Sequence, residues 1–312
     1  MAKDKTKVAI VILTLNNRKL LEEEFKLFNS LDKKKLDIEF VVVDNASKDG
    51  TDQLLKDTDI DDIKLNVITN TVNQGFALGN NQGIKYALKN NPQYILLLND
   101  DMVFEKNFLK KLVGFANNNP NYEIISPKIY FAKGHEFHKN RYKENEKGKV
   151  IWYGGGSIDW DNIYTSHDRV DEVDLGGKEN VKEVDVASGA CMLVRSEVFK
   201  KLGGLDEKLF LYWEDAEFTQ RAKLNGFKAV YYPDVSLHHK VTSSSGGSGS
   251  PSNDYFLIRN RYYFATKYAK SLRTKFAVFR DTVKLMFTGR PWQKIGALDA
   301  LIGKMGRGSW KK

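Results

Sequence analysis

The sequence predicts an α/β fold built on a mostly parallel sheet. In the first third of the chain, short runs rich in Val, Ile and Leu recur without polar alternation, which is typical of strands covered on both faces. Helical patterns separate these runs, and the strand–helix–strand order favours parallel pairing, with ligands bound at the carboxyl ends of the strands. The predicted strands are residues 8–15, 38–44, 65–69 and 94–98, and the predicted helices are 17–30, 49–57 and 76–90.

The middle of the chain has a different character. Residues 132–149 are polar and charged with few apolar residues, which predicts an exposed loop. Residues 150–184 predict short antiparallel strands and turns, followed by a strand and then a helix with Ser196 as its N-cap. Another helix is predicted over 214–225, because Gly226 stands where a helix stop belongs.

Residues 242–253, TSSSGGSGSPSN, have the composition of a flexible linker. Three interpretations stay open: a domain boundary, an engineered linker, and an active-site lid, which needs the same backbone freedom. We expect a catalytic domain over 1–250, divided near residue 130 into a nucleotide-binding half and an acceptor-binding half. A helical, basic region is expected over 251–312.

The positive charge is concentrated at the end of the chain. Residues 259–312 contain 14 Lys and Arg against two Asp, a net charge of +12, so the preceding part carries −3 of the total +9. This imbalance indicates an anionic partner, either phospholipid or nucleic acid. An apolar stripe flanked by Arg and Lys predicts an amphipathic helix lying on a membrane, with burial against the catalytic domain as the alternative. The stripe consists of Leu272, Phe276, Phe279, Val283 and Met286.

Composition also argues against several classes of protein. No run reaches the roughly 18 apolar residues of a membrane span, and the N-terminus lacks a signal-peptide cleavage site, so a cytoplasmic location is expected. The single Cys191 rules out an internal disulfide. Its apolar setting, ACMLV, favours a small core residue over a catalytic thiol.

Short hydrogen-bonding side chains follow each predicted strand. Because the carboxyl ends of parallel strands meet at one edge of a sheet, the sequence predicts a ligand site there. Taken alone, the pair Asp44 and Asn45 fits a helix start equally well. The residues in order are Thr14, Asn16 and Asn17 after the first run; Asp44 and Asn45 after the second; Thr69, Asn70, Asn73 and Gln74, with Gly75 beside them, after the third; and Asn99, Asp100 and Asp101 after the fourth.

The ordered set of motifs resembles the family 2 glycosyltransferases, and most closely their rhamnosyltransferase-like branch, over residues 7–306. The resemblance implies a GT-A fold, a Rossmann-like parallel sheet flanked by helices, here with a C-terminal basic amphipathic helical appendage. The motifs are TLNN, VVVDNASKDGT, NQGFALGNNQGI, LLLNDDM, DVASGACMLVRSEVFKKLGGLDEKLFLYWEDAEFTQRAKLNGF, and HHKVTSSSGGSGSP with YFLIRNRYYF.

The resemblance implies that Asp44 recognises the nucleotide base. A carboxylate there accepts the N3–H of uracil or thymine, which cytosine lacks, so a uridine or thymidine diphosphate donor is favoured; guanine also offers N–H donors and stays compatible. Gly75 would let the backbone approach the ligand closely. The nucleotide-binding set is Thr14, Asn16, Asp44, Asn45, Asn73, Gly75, Asn80, Asn99 and Asp100.

The segment Asn99-Asp100-Asp101 corresponds to the Asp-x-Asp signature of the family. By resemblance Asp101 binds Mg²⁺ or Mn²⁺, which need few carboxylates when phosphate oxygens complete the shell. Because Asn99 replaces the first Asp, the ribose contact falls to an amide or to Asp100. His239 matches the position of a further ligand to the metal or pyrophosphate, and the sequence leaves the choice between His238 and His239 open.

The WED motif, residues 213–215, contains the residue expected to catalyse the reaction. The resemblance makes Asp215 the base of an inverting transfer, with Trp213 and Glu214 shaping the acceptor pocket. Taken alone, these acids are ordinary first-turn residues of a helix. The residues expected to border the donor sugar are Ser188, Gly189, Ala190 and Asp174.

The expected partners follow from the same resemblance. They are a nucleoside-diphosphate sugar, with dTDP-rhamnose or a UDP-hexose favoured, a glycan or polyprenyl-diphosphate-linked acceptor, and the anionic inner face of the cell membrane. Two alternatives are an inactive nucleotide-sugar-binding scaffold, against which the intact WED motif argues, and a nucleic-acid-binding protein. The acidic body carries no nucleic-acid-binding motif, so no nucleic acid is expected.

Overall fold

A computed structural model describes residues 5–60, 63–241 and 249–311. The strands in these ranges are β1 (Thr6–Thr14), β2 (Leu36–Asp44), β3 (Lys64–Thr69), β4 (Tyr94–Asn99), β5 (Met102–Phe104), β6 (Ile124–Phe131), β7 (Ile151–Tyr153), β8 (Gly156–Asp159), β9 (Tyr164–His167), β10 (Lys182–Glu183), β11 (Cys191–Arg195) and β12 (Ala229–His239). The helices are α1 (Arg18–Asn29), α2 (Thr51–Asp57), α3 (Gly75–Leu88), α4 (Phe108–Asn118), α5 (Ser196–Leu202), α6 (Glu214–Leu224), α7 (Pro251–Tyr268), α8 (Leu272–Thr288) and α9 (Pro291–Leu301).

One large sheet organises the described chain. Its strand order is β10-β12-β6-β11-β4-β1-β2-β3, with β5 added to β12 and β7 to β6. The four strands predicted first are β1 to β4, and they pair in parallel. The centre of the sheet is fully buried, as Val11 and Leu97 illustrate at 0% exposure, because helices cover both faces. The α/β fold with a mostly parallel sheet is confirmed.

The register brings the polar strand ends together. Thr14 pairs with Asp44, Asp44 pairs with Thr69, and Leu13 pairs with Asn99. On the other side, the backbone N–H of Asn99 donates to the carbonyl oxygen of Ala190, just before β11, at 3.0 Å. The residues predicted to share one edge of the sheet therefore do so.

Several elements were not predicted. Helix α4, with buried Leu109, Leu112 and Ala116, shows ordinary helical spacing, and the long strand β12 was also missed. The predicted N-cap of α5 was wrong. Ser196 is the first residue of α5 and Arg195 precedes it as the N-cap.

The predicted linker, residues 242–253, overlaps the start of a helix. Helix α7 already begins at Pro251, and the side chain of Ser250 caps it by accepting from the N–H of Asn253 at 3.3 Å. Pro at the first helical position costs no hydrogen bond, so the sequence PSN starts a helix. Residues 242–248 lie outside the described residues, and with them most of the predicted lid or linker.

The last three helices pack on the segment that precedes α6. Phe264 packs with Trp213 and Leu209 in one apolar cluster, and Phe256 packs with Phe210 in another. None of the helices in the described ranges is both long and apolar enough to span a bilayer. These contacts join the predicted C-terminal region to the predicted catalytic domain. The division of the chain into these two parts stays a prediction.

Candidate functional site

The loops after β1 and β2 are tied to each other. Asn16 adopts a left-handed conformation, φ 54°, and its Oδ1 accepts from the N–H of Lys48 at 2.7 Å while its N–H donates to Ser47 Oγ at 2.9 Å. Buried Asp44 accepts from the N–H of Ser47 at 2.9 Å. Thr14 is also buried, and its hydroxyl group lies near enough to Asp100 to lower the pKa of that carboxyl group. The two loops thus form one fixed edge around Asp44.

Asn45 is the hub of an amide network. Its Nδ2 donates to Asn73 Oδ1 at 3.0 Å, and its Oδ1 accepts from Asn70 Nδ2 at 3.2 Å and from the N–H of Gln74 at 2.9 Å. Asn73 Oδ1 also accepts from the N–H of Gly75 at 2.8 Å. These bonds fix the loop between β3 and α3, so both side chains have a structural task beside the predicted nucleotide contact.

Glycine is required at position 75 for a reason other than the expected close approach of the backbone to a ligand. Its φ is +79°, and a Cβ there would lie 2.5 Å from the ring of Phe210. The protein's own packing therefore requires glycine at this position. Asn80 is equally internal, at 2% exposure, and donates to the carbonyl oxygen of Phe76 at 2.9 Å.

The acids after β4 are buried together. Asp100 and Asp101 are 7% and 6% exposed. Both carboxylate oxygens of Asp100 accept from Asn17 Nδ2, at 3.0 and 3.1 Å. Burial, and then the charge of Asp101, raise the pKa of Asp100 to about 7. Asn99 is half-buried beside them. Such a crowded pair of carboxyl groups favours binding of a cation.

The two histidines at the end of β12 have separate surroundings. His239 Nε2 lies 2.9 Å from Asp101 Oδ1, and its Nδ1 has no hydrogen-bond partner among the described residues. His238 Nε2 instead contacts the carbonyl oxygen of Gly148 at 3.1 Å, and burial lowers the pKa of His238. Successive residues of a strand point to opposite faces, so only His239 faces the acids.

Asp101 and His239 fit a divalent cation that receives most of its ligands from elsewhere. Both side chains are buried, and Asp101 Oδ1 and His239 Nε2 lie within contact distance of each other. Within the described ranges, no group of three or more His, Cys, Asp and Glu is arranged to hold a metal. Mg²⁺ and Mn²⁺ sites commonly use one or two protein carboxylates with phosphate oxygens and water, so the donor set is suitable.

Glu24 is a buried acid that the sequence reasoning missed. It is 1% exposed on α1, and neither carboxylate oxygen has a hydrogen-bond partner among the described residues. Burial, followed by the charges of Asp100 and Asp101, raises its pKa well above the ordinary value. The burial of Glu24 could have been predicted from the helical spacing. Glu24 lies three residues after Leu21 and four before Phe28, on the apolar face of the helix.

Asp215 and Glu214 begin helix α6, as predicted. The N–H of Gly189 donates to Asp215 Oδ2 at 3.3 Å, and the N–H of Ala216 donates to its Oδ1 at 2.8 Å. Burial raises the pKa of Asp215 despite these bonds. Glu214 is 6% exposed and its Oε2 has no hydrogen-bond partner in the described chain. Burial and the neighbouring Asp215 raise its pKa well above the usual range.

The raised pKa of Glu214 predicts a pH dependence of stability. The folded protein keeps this proton at pH values where the unfolded chain has lost it, so the free energy of unfolding falls as pH rises above about 4.5. Glu214→Gln does not titrate and should make this decline shallower. Urea denaturation of both proteins between about pH 4.5 and 8 measures it. Equal slopes for the two proteins would contradict the buried, protonated state of Glu214.

The loop 188–190 connects this helix to the acids after β4. Buried Ser188 accepts from the N–H of Ala190 at 3.3 Å. Gly189 contacts Asp215 and Ala190 contacts Asn99, through the bonds given above. Trp213, left-handed at φ 74° and 6% exposed, precedes the two carboxyl groups. The predicted sugar and acceptor residues of this part are therefore adjacent.

Asp174 lies in a different network. Its Oδ2 accepts from Lys128 Nζ at 2.7 Å and from the hydroxyl of Tyr130 at 2.6 Å, and its Oδ1 accepts from the N–H of Gly176 at 2.9 Å. Burial alone would raise the pKa of Asp174, but these partners lower it to about 2. No hydrogen bond in the described ranges joins Asp174 to the other predicted sugar-binding residues. Its contact with the sugar stays a prediction.

Comparison with known sequences identifies a family. Residues 9–203, more than half of the chain, match the family described as Glycosyl transferase family 2. The chain is 30% identical over 226 residues to the low-salt glycan biosynthesis hexosyltransferase Agl10 of Haloferax volcanii, covering 72% of this chain and 66% of Agl10, slightly under two thirds. It is 27% identical over 267 residues to the dTDP-rhamnosyl transferase RfbF of Shigella flexneri, covering 82% of this chain and 79% of RfbF.

Comparison with solved structures gives the same fold. The mannosyltransferase PcManGT from Pyrobaculum calidifontis, solved in complex with GDP-Man and Mn²⁺, superposes with a TM-score of 0.58 at 18% identity. The match covers 96% of this chain and 75% of PcManGT. At this identity the likeness concerns the fold alone, and that fold is the GT-A arrangement.

Proposed function

Since the chain belongs to glycosyltransferase family 2, we propose that it transfers a sugar from a nucleoside-diphosphate sugar to a hydroxyl of a glycan or lipid-linked glycan, with inversion at the anomeric carbon. The observation that carries the proposal is the loop 188–190. It contacts both the acid at the start of α6 and the polar end of β4. The loop would thereby hold the proposed base near the turn that carries the proposed cation ligand Asp101.

Asp215 is the proposed base. Inversion requires a group opposite the leaving diphosphate that removes the proton from the acceptor hydroxyl. Burial raises the pKa of Asp215, which brings its basicity closer to the operating pH, and the N–H groups of Gly189 and Ala216 fix its orientation. Glu214 and Trp213 would border the acceptor, and Ser188, Gly189 and Ala190 the donor sugar.

Asp101 and His239 would hold the divalent cation, Mg²⁺ or Mn²⁺. When bound, the ion offsets negative charge on the departing diphosphate. Asp100 lies between this pair and Asn17, and we assign it to the ribose or phosphate region. The presence of Mn²⁺ in the structure of PcManGT supports a divalent cation in this fold.

Asp44 would accept the N3–H of the nucleotide base. Its Oδ1 is held by the N–H of Ser47, so the carboxylate is fixed at the edge where β1 and β2 end. This favours dTDP-rhamnose or a UDP-hexose, and the name of RfbF, a dTDP-rhamnosyl transferase, supports the first. The remaining nucleotide-binding residues proposed from the sequence lie around the same edge.

The donor can be identified by ligand-induced stabilisation. A panel of sugar nucleotides with Mn²⁺ is compared with the bare nucleotides by thermal shift, and one sugar nucleotide is expected to raise the melting temperature beyond its nucleotide alone. The reason is that the sugar adds contacts with the loop 188–190. No stabilisation by any sugar nucleotide would contradict the proposed function.

An anionic membrane surface is the proposed partner of α8. This helix buries Thr274, Val278 and Thr282, while Leu272 and Phe276 are 84% and 66% exposed. Phe279 of the predicted stripe is also exposed, at 42%, while its members Val283 and Met286 are half-buried. Phe287, outside the stripe, is 67% exposed. Exposed aromatic residues flanked by Arg273, Arg280 and Lys284 suit a membrane interface. A peripheral location at the cytoplasmic face follows from this proposal.

The membrane proposal predicts a loss of vesicle binding. Phe276→Ser with Phe279→Ser should lower the partition coefficient onto vesicles containing phosphatidylglycerol by about tenfold or more, because two exposed aromatic side chains that would insert into the membrane are removed. Co-sedimentation measures it. Leu224→Ser is a matched control, since Leu224 is 73% exposed on another helix. Equal binding by the double variant would contradict the proposal.

A further inference from the structure

The turn before the proposed base is held in an unusual backbone conformation. Tyr212 and Trp213 are consecutive and both left-handed, with φ 66° and 74°. Non-glycine residues rarely adopt this conformation, and two in succession persist only where surrounding contacts impose it. The carbonyl oxygen of Trp213 accepts the first hydrogen bond of α6, from the N–H of Glu217 at 2.8 Å. The turn therefore sets where the helix begins.

Asn260 of α7 contacts this turn directly. Its Nδ2 donates to the carbonyl oxygens of Leu211 and Tyr212, both at 2.8 Å. Its Oδ1 accepts from Arg259 Nε at 2.9 Å. Both side chains are 0% exposed. Since guanidinium only donates and carbonyl oxygen only accepts, these partners fix the orientation of the amide.

A backbone carbonyl group in turn fixes the side chain of Arg259. Its Nη1 donates to the carbonyl oxygen of Gly306 at 2.6 Å. Its guanidinium also lies over the rings of Tyr255 and Phe256, at 5.2 and 5.0 Å from their centroids. The amide of Asn260 is therefore supported from behind by a rigid, buried group.

The same face of α7 makes two more contacts with this region. Phe264 packs on Trp213 with ring centroids 4.9 Å apart. Lys267 Nζ and the hydroxyl of Tyr268 donate to Glu217 Oε1, at 2.6 and 2.7 Å. Positions 260, 264 and 267–268 share one side of a helix. Helix α7 thus contacts the turn, its tryptophan and the first turns of α6.

We propose that Asn260 is a positioning residue for the transfer reaction: it fixes the left-handed turn at Tyr212 and Trp213 and thereby the carboxylate of Asp215. This inference rests on the proposed transferase function. Asn260 has no assigned contact with substrate, so it acts through the turn. A displaced base still permits the donor to bind, because Asp44 and the loops that form the edge around it follow β1 and β2.

The test uses the full chain with Asn260→Ala and the isosteric Asn260→Asp, which loses both N–H donors. We expect kcat to fall on the order of 10²-fold, as for misplacement of a catalytic group, with the KM for the donor and the affinity for nucleotide within about twofold. Asn66→Ala is the control: Asn66 donates to Glu39 and to the carbonyl oxygen of Phe40 on strands far from α7, and its kcat should be unchanged.

Hydrogen exchange separates this inference from the transferase proposal. In both Asn260 variants, backbone amides of residues 211–218 should exchange faster than in the wild type, with the loops that follow β1 and β2 unchanged. An unchanged exchange rate would overturn the inference even if the wild type transfers no sugar. So would wild-type kcat in Asn260→Asp, or a parallel loss of kcat and nucleotide affinity in both variants, which indicates general structural damage.

Discussion

Asp215→Asn is expected to lower the rate of sugar transfer by about 10²- to 10⁴-fold, the range for loss of a general base. The amide keeps the shape of the carboxyl group, and its oxygen can still accept from one of the two N–H groups of Gly189 and Ala216, but it cannot take the acceptor proton. Nucleotide affinity should be unchanged, because the nucleotide edge lies on other elements. Initial rates and calorimetric titration with the nucleotide measure the two quantities.

A matched control separates the base from an ordinary helix acid. Asp52 also lies in the first turn of a helix, α2, where its carboxylate is half exposed and pairs with Lys56. Asp52→Asn should leave transfer unchanged. If Asp215→Asn retained near-normal turnover, Asp215 would be a first-turn acid and the assigned mechanism would be wrong.

Asp101→Ala is expected to abolish the contribution of the cation to nucleotide binding. Asp101 supplies the buried carboxylate beside His239, and its removal leaves too few protein ligands for Mg²⁺ or Mn²⁺. In the wild type, Mn²⁺ should tighten binding of the nucleoside diphosphate by about tenfold or more, equal to about 1.4 kcal/mol. Calorimetry with and without Mn²⁺ measures this difference.

The control is the nucleotide affinity of each protein measured without Mn²⁺. Without Mn²⁺, the wild type and Asp101→Ala should bind the nucleotide with similar weak affinity. A variant that still gains the full tenfold from Mn²⁺ would show that the cation is held elsewhere. Asp100 would then be the next candidate, since it is equally buried in the same turn.

Much of the fold could be predicted because local patterns and the sheet agree. The residues directly before Asp44 and Asn99, at 40–43 and 94–98, are all apolar, and the parallel register then places the polar ends at one edge. The start of α6 at Glu214 followed from the Gly226 stop and the helical spacing between them. Such features depend on residues close together in the chain.

Features that depend on distant contacts could not be predicted. The sequence gives no sign that Phe210 packs against Gly75, or that Lys128 and Tyr130 engage Asp174. Alternation along a strand distinguishes His238 from His239 only once β12 is known to pair with β5 beside Asp101. The role of Asn260 likewise depends on how α7 packs on the turn before α6.

The most direct test of the proposed function is release of nucleoside diphosphate from a panel of sugar nucleotides. The full chain is incubated with Mn²⁺ and a lipid extract as the source of acceptor, and Asp215→Asn is measured in parallel. We predict release from one class of donor by the wild type, with release at least 10²-fold slower in the variant. Absence of release from every donor, by a wild-type protein that binds nucleotide, would contradict the proposed glycosyltransferase activity.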